Sequence, residues 1–181
     1  LPGHIAIGHT RYSTTGSSSR LNAQPIMAEG PSGEIALAHN GNIVNAEEMR
    51  ERLLEWGVTT ATGTDSEIIT HLLAWAPGET WGERVAYLMK SIEGAYSLVV
   101  ATKDTTIGIR DPHGLRPLCL GRFTNGGWVI ASESAALDHI GAEFIREVDP
   151  GETVVIDRDG LVSIPNPTPH ERVAHCVFEH I

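Results

Sequence analysis

The chain has 181 residues, 41% of them hydrophobic and 20% charged, a balance that fits a soluble globular protein with one sizeable core rather than a disordered or membrane one. A formal charge of −10 without any Lys/Arg cluster argues against nucleic acid as a partner, because phosphate binding needs a basic stripe. No apolar run reaches the roughly eighteen residues of a membrane span, the opening residues lack the pattern of a signal peptide, and two cysteines, Cys119 and Cys176, are too few for a disulfide scaffold. The composition therefore predicts a cytoplasmic protein with no membrane or nucleic-acid partner.

In chain order, alternating apolar residues predict strands over 4–10 and 34–40, both ending in polar residues. A helix follows over 45–56, with Asn45 as its N-cap and Glu48 as the capping-box partner. Met49, Leu53 and Leu54 lie along one face and Gly57 stops it. A second helix is predicted over 66–75, capped by Thr64 or Asp65, carrying the stripe Ile68, Ile69, Leu72 and Leu73, and ended by Pro77 and Gly78. Thr80 and Glu83 form a capping box opening a third helix through Val85, Leu88, Met89 and Ile92, which closes at Gly94.

Beyond Gly94, "AYSLVVAT", "TIGIR", "PLCLGRF" and "GWVIASE" are β-rich runs divided by the turns "KDTT" and "TNGG". A short helix over 135–140 precedes "TVVID" and "LVSI", which flank "RDG" as a last hairpin. Meandering antiparallel pairing, with helices clustered between two β-rich stretches, predicts an α+β sandwich rather than a doubly wound parallel fold. At 165–169 "PNPTP" reads as an extended linker, because proline removes a donor and restricts its predecessor. The division expected is a domain over 1–164 and, over 165–181, a linker and the start of another domain.

No Walker-type or dinucleotide-type glycine loop is present, and no G-x-S-x-G elbow. His170, His175, Cys176 and His180 come nearest to a ligand cluster, but they follow the proline linker without a recognised spacing, so no metal site is expected. Three polar clusters remain: "GHTRYSTTG" over 8–16 with "NAQP" after it, "AHNGN" over 38–42, and "TGTDSE" over 62–67. Taken singly, each has an ordinary reading. Arg11 would be a surface ion pair, "HNGN" a tight turn and "TDSE" a helix cap.

Together they describe a binder for a small zwitterion with a carbonyl. Arg11 can grip a carboxylate, Asp65 an ammonium, and the Asn40 amide with the Gly41 N–H can stabilise an oxyanion; glutamine carries all three groups. These residues resemble the glutaminase domain of class II glutamine amidotransferases, which have an N-terminal-nucleophile hydrolase fold, a four-layer αββα sandwich of antiparallel sheets. "GHTRYSTTG", "NAQP", "AHNGN", "DSE", "RDPHGLRPL", "ASES" and "CVFEHI" stand in the order that family shows. Within it, "SSSRLNAQP" and "RDPHGLRPL" are similar to the amidophosphoribosyltransferase group rather than to aminosugar-forming or asparagine-forming members.

The resemblance implies that Arg11 holds the α-carboxylate of glutamine, Asp65 its α-amino group, and Asn40 with Gly41 the oxyanion, with Thr14 and Gln24 lining the same pocket. It implies a cysteine nucleophile whose own terminal amine is the general base, ammonia transfer to phosphoribosyl pyrophosphate in the first step of de novo purine biosynthesis, and a homo-oligomer at full length. The nucleophile and the phosphoribosyltransferase domain, with the Mg2+ expected there, are not found in residues 1–181. The chain is thus expected to be an N-terminally truncated piece of a longer enzyme, inactive alone. No cofactor is expected in this segment. Some family members hold an iron–sulfur cluster through a cysteine placed like Cys176 and others do not. The competing class is a noncatalytic glutamine-binding or regulatory module.

Overall fold

The computed structural model describes residues 3–10, 20–31 and 33–166. After a short 3-10 helix, Arg20–Asn22, strands β1 (Ile26–Gly30) and β2 (Gly33–Ile43) form an antiparallel hairpin. Helices α1 (Ala46–Glu55), α2 (Asp65–Trp75) and α3 (Trp81–Ser91) follow, and β3 (Gly94–Ala101) returns alongside β2, with His39 opposite Leu98 and Gly41 opposite Tyr96. Strand β4 (Thr106–Arg110) completes the expected meander.

The chain then leaves this sheet. Strands β5 (Cys119–Arg122), β6 (Trp128–Ala131) and β7 (Glu143–Glu147), with α4 (Ser134–Ile140) between the last two, build a second sheet in the order β6-β5-β7. Strand β8 (Thr153–Asp157) rejoins the first sheet beside β4, and β9 (Gly160–Ile164) closes it as the edge, giving β1-β2-β3-β4-β8-β9. All pairings are antiparallel. No helix among the described residues is long and apolar enough to cross a membrane.

Strand alternation separates the layers. Ile35, Leu37, Leu98, Val100, Ile107 and Ile109 are buried against Ile68, Ile69, Leu72, Leu73 and Leu88 of the helices. Each such side chain contributes about 1.5–3 kcal/mol by leaving water. Val99, on the opposite face of β3, packs with Leu118, Leu120, Val148 and Val154 between the sheets, while Cys119 turns toward Leu137 of α4. The order is α1–α3, six-stranded sheet, three-stranded sheet, α4: the αββα sandwich expected.

Several local expectations need correction. Residues 4–10 form no strand: Ile5, Ile7 and His9 alternate in burial, but no ladder partner pairs with them among the described residues. Alternation reports which side chains are covered, whereas a strand also needs a neighbour's N–H and C=O groups. The capping box at α1 is absent. Asn45 precedes the helix but turns its amide elsewhere: Nδ2 donates to Ser91 O at 2.8 Å, and Oδ1 accepts from Glu93 N at 2.9 Å, tying the start of α1 to the end of α3. Thr64, at the N-cap of α2, makes no side-chain cap; Asp65 is the first residue of the helix, and its Oδ1 accepts from the first-turn Ser66 N. "HNGN" is no turn but the far end of an eleven-residue strand. Strands β1 and β7 were not expected, since "IMAEG" and "EFIRE" lack clean alternation. The Thr80–Glu83 capping box is present as predicted, with the Glu83 carboxyl held below its ordinary range first by the Thr80 and Glu79 backbone N–H groups.

Candidate active site

Three chain segments converge where β2 ends. His39 to Asn42 finish that strand, Ala95 and Ser97 begin the neighbouring β3, and Thr64 to Ser66 start α2; they line a cavity of about 1110 Å³. The opposite wall comes from the second sheet and the start of α4, at Ile130 to Glu133. Gly8, His9 and Thr10, the first residues of "GHTRYSTTG", reach the same cavity. Strand ends and a helix N-terminus present backbone donors without local partners, which suits them to a polar ligand.

Asp65 is buried at the start of α2, where the helix N-terminus favours a negative charge. Its Oδ2 accepts from Ile43 N at 3.2 Å and its Oδ1 from Ser66 N at 2.9 Å. Two backbone donors fix the carboxylate and leave further lone-pair directions for an ammonium. Beside it, His39 Nδ1 lies 3.1 Å from Ser66 Oγ and 3.9 Å from Asp65 Oδ1. Gln24 completes the cluster. Its Nε2 donates to Ser66 Oγ at 3.1 Å, and its Oε1 accepts from His39 N at 2.6 Å.

Burial pushes the His39 pKa down to about 4, although the Asp65 carboxylate pulls the other way; the charges of His9 and Arg116 add to the drop. The imidazole is neutral at pH 7. Ser66 Oγ accepts from Gln24 and shares a second hydrogen bond with His39 Nδ1, whose direction is set by the imidazole tautomer. Nε2 is buried and has no hydrogen-bond partner among the described residues. A neutral histidine next to Asp65 leaves that carboxylate's charge to the cavity.

Asn40 is half-buried on the face of β2 that looks toward the second sheet, and its Oδ1 accepts from Arg116 Nη2 at 2.6 Å. Gly41 has φ +147°, and an added Cβ would sit 2.1 Å from Ala95 O. Only glycine lets β2 and β3 approach this closely while the strand end keeps its course. An amide donor from Asn40 and a backbone N–H from Gly41, adjacent in sequence, face one cavity; this is the composition of an oxyanion hole.

The structure therefore brings Asn40, Gly41, Asp65 and Gln24 to one cavity. Arg11 and Thr14 lie outside the described residues, as do Cys176 and the histidines of the linker region. Sequence reasoning missed His39, Ser66 and Arg116. Arg116 was visible only as a letter in "RDPHGLRPL", and its place beside Asn40 depends on contacts 76 positions apart. Cys119 is not positioned as a nucleophile: it is buried against α4 and is no part of the cavity wall. Burial, with the Glu147 and Glu133 charges, pushes its thiol up to about 11, and its Sγ donates to Ala131 O at 3.3 Å. Among the described residues no group of three or more His, Cys, Asp or Glu side chains is placed to hold a metal.

Known proteins share this chain's sequence pattern and fold. The family of glutamine amidotransferase domains matches residues 9–139, which contain every cavity residue named above except Gly8. The chain belongs to that family. Over its full length this amidotransferase domain is 46% identical to amidophosphoribosyltransferase 2, chloroplastic, of Arabidopsis thaliana, covering 32% of that protein. Over 98% of its length it is 41% identical to amidophosphoribosyltransferase of Rattus norvegicus, covering 39% of it. Among solved structures, it superposes on glutamine phosphoribosylpyrophosphate amidotransferase from B. subtilis, complexed with ADP and GMP, with a TM-score of 0.82 at 32% identity, across 95% of this chain and 37% of that one. A structure described as the allosteric regulatory enzyme of purine biosynthesis gives a TM-score of 0.85 at 35% identity, with the same coverage. The amidotransferase domain thus has the N-terminal-nucleophile hydrolase fold, and it spans about a third of the length of these relatives. Its fold runs past the matched stretch to Ile164, because β8 is paired with β4 inside the six-stranded sheet.

Proposed function

We propose that this amidotransferase domain hydrolyses the side-chain amide of glutamine within a longer amidophosphoribosyltransferase, and that the ammonia released converts phosphoribosyl pyrophosphate to 5-phosphoribosylamine, the first step of de novo purine biosynthesis. The observation that carries the glutamine reading is the meeting of a buried, charged Asp65 with Asn40 and Gly41 in one cavity. Asp65 takes the α-ammonium, and Arg11, three positions past Gly8 of the cavity rim, takes the α-carboxylate. With both ends of the zwitterion fixed, the side-chain amide extends toward Asn40 and Gly41.

A cysteine thiolate contributed from outside residues 1–181 attacks the amide carbon. The carbonyl oxygen becomes an oxyanion held by the Asn40 Nδ2–H and the Gly41 N–H; collapse expels ammonia, which takes its third hydrogen from the protonated terminal amine of the cysteine, and leaves a glutamyl thioester. Water then hydrolyses the thioester to glutamate. Donors preset where charge develops contribute more than donors that must reorient, which is why rigid backbone at a strand end suits this task.

The acceptor reading rests on the names of the relatives and on the share of their length that lies beyond this domain; the division proposed is a glutaminase domain over 1–164 followed by a linker. The whole protein is further proposed to assemble as a homo-oligomer. A direct test measures glutamine hydrolysis by the full-length protein with phosphoribosyl pyrophosphate or with fructose 6-phosphate. The proposal expects pyrophosphate and glutamate in equal amounts with the first acceptor and no stimulation by the second. Stimulation by the sugar phosphate would instead favour an aminosugar-forming enzyme.

A further inference from the structure

The loop "RDPHGLRP" between β4 and β5 is cross-braced by two buried charged side chains, Arg110 and Asp111. Asp111 is completely buried and accepts three backbone hydrogen bonds: His113 N and Leu115 N on Oδ1, at 3.0 and 3.2 Å, and Arg116 N on Oδ2 at 3.0 Å. Arg110, also buried, spreads its guanidinium over the other side of the loop, donating from Nη2 to Gly114 O at 3.1 Å, from Nη1 to Val148 O at 2.6 Å, and from Nε to Arg116 O at 2.9 Å. Both backbone polar groups of Arg116 are thereby clamped, its N–H by Asp111 and its C=O by Arg110. From this fixed backbone the Arg116 side chain reaches β2, where its Nη2 donates to Asn40 Oδ1 at 2.6 Å.

That contact has a chemical consequence. A side-chain amide can turn either its oxygen or its NH2 toward a neighbour, but a guanidinium has donors only and accepts nothing. Arg116 therefore selects the rotamer of Asn40 in which Oδ1 is occupied and Nδ2 is the group left for the cavity. Resting on the oxyanion-hole reading of Asn40, we propose that Arg116 is a positioning residue for glutamine hydrolysis: the 110–116 loop exists to hold its guanidinium on Asn40 Oδ1, so that Nδ2–H is already aimed when the oxyanion forms. The charge-assisted bond also polarises the amide and strengthens Nδ2 as a donor. Arg116 acts through Asn40 rather than on glutamine.

The test uses the full-length protein and compares Arg116→Gln, Arg116→Lys, Asn40→Ala and the double variant N40A/R116Q, with glutamine-dependent and ammonia-dependent synthesis measured side by side. For Arg116→Gln, kcat with glutamine is expected to fall about 10- to 100-fold, short of the loss from removing an oxyanion donor outright. KM for glutamine stays within about threefold, because ground-state binding is left in place, and the ammonia-dependent rate is unchanged. Arg116→Lys, which still offers a cationic donor to Oδ1, recovers part of kcat. In the Asn40→Ala background Arg116→Gln costs nothing further, a non-additivity that a merely structural role would not produce. An unchanged kcat in Arg116→Gln, a rise confined to KM, or losses that simply add in the double variant would each overturn the positioning role while leaving the oxyanion hole standing. A normal kcat in Asn40→Ala would instead overturn the oxyanion hole itself. Should Arg116→Gln lower the melting temperature, the two Arg116 variants compared at a temperature where both are folded decide the case: a lysine variant faster than Arg116→Gln supports the cationic contact, and one as slow as Arg116→Gln contradicts it.

Discussion

Replacing Gly41 with alanine is expected to destabilise the domain by about 3–5 kcal/mol and to abolish glutamine hydrolysis. Two effects add at this position. The backbone has φ +147°, a region that side chains with a Cβ rarely enter, and the new methyl would meet Ala95 O at 2.1 Å and Tyr96 Cα at 2.8 Å. Backbone atoms of the neighbouring strand have no rotamer by which to yield, so β2 and β3 must separate where they form the cavity floor. Gly94 faces the same constraint from the other strand, with φ +146° and Asn42 O at 2.3 Å from its added Cβ. Denaturant melts provide the check, with Gly63→Ala as the comparison, since a Cβ there meets nothing within 4 Å. For a domain of this size the expected drop in melting temperature is on the order of 10 °C. A Gly41→Ala variant that melts like Gly63→Ala would show that the strands are not in fact so closely apposed.

Asp65→Asn in the full-length protein is expected to lower kcat/KM for glutamine by about 100- to 1000-fold, the range for losing one partner of a buried charge pair. Asparagine keeps an oxygen that can accept from Ile43 N, so the start of α2 retains its anchor and ammonia-dependent synthesis is expected to continue. What disappears is the charge facing the ammonium. Steady-state kinetics with both nitrogen sources separates this from a folding defect, which would depress the two activities together. His39 sharpens the expectation: its pKa is pushed down by burial, so the neutral imidazole beside Asp65 does not neutralise the carboxylate in the wild-type protein.

How much of this was readable beforehand depends on how local each interaction is. The α3 capping box was legible because Thr80 and Glu83 recognise each other within one turn. Asn45 followed by Glu48 presents the same letters, yet the Asn45 amide bonds to Ser91 and Glu93, partners supplied only once α3 has packed. "HNGN" carries turn propensity, but its eight-residue ladder with β3 outweighs that propensity and keeps the segment extended. Asp65, Asn40 and Gly41 were legible as a set because the chemistry of a zwitterion with a carbonyl unites them. Gln24 was assigned to the cavity wall, where it lies, but its bonds to His39 and Ser66 could not be foreseen from spacing. Arg116 was hidden for the most physical reason: two other residues, Arg110 and Asp111, build the loop that carries it across to β2.

The central claim is that one cavity grips both charged ends of a free glutamine molecule. Comparing initial rates of amide hydrolysis by the full-length protein on L-glutamine, N-acetyl-L-glutamine and L-glutamine methyl ester tests it most directly, since the second compound lacks the ammonium and the third the carboxylate. The account predicts that each blocked compound loses about 100-fold or more in kcat/KM, the discrimination expected when a buried charged group is left unpaired. Turnover of N-acetyl-L-glutamine at a rate comparable to that of L-glutamine would contradict it, because Asp65 would then have no ammonium to hold.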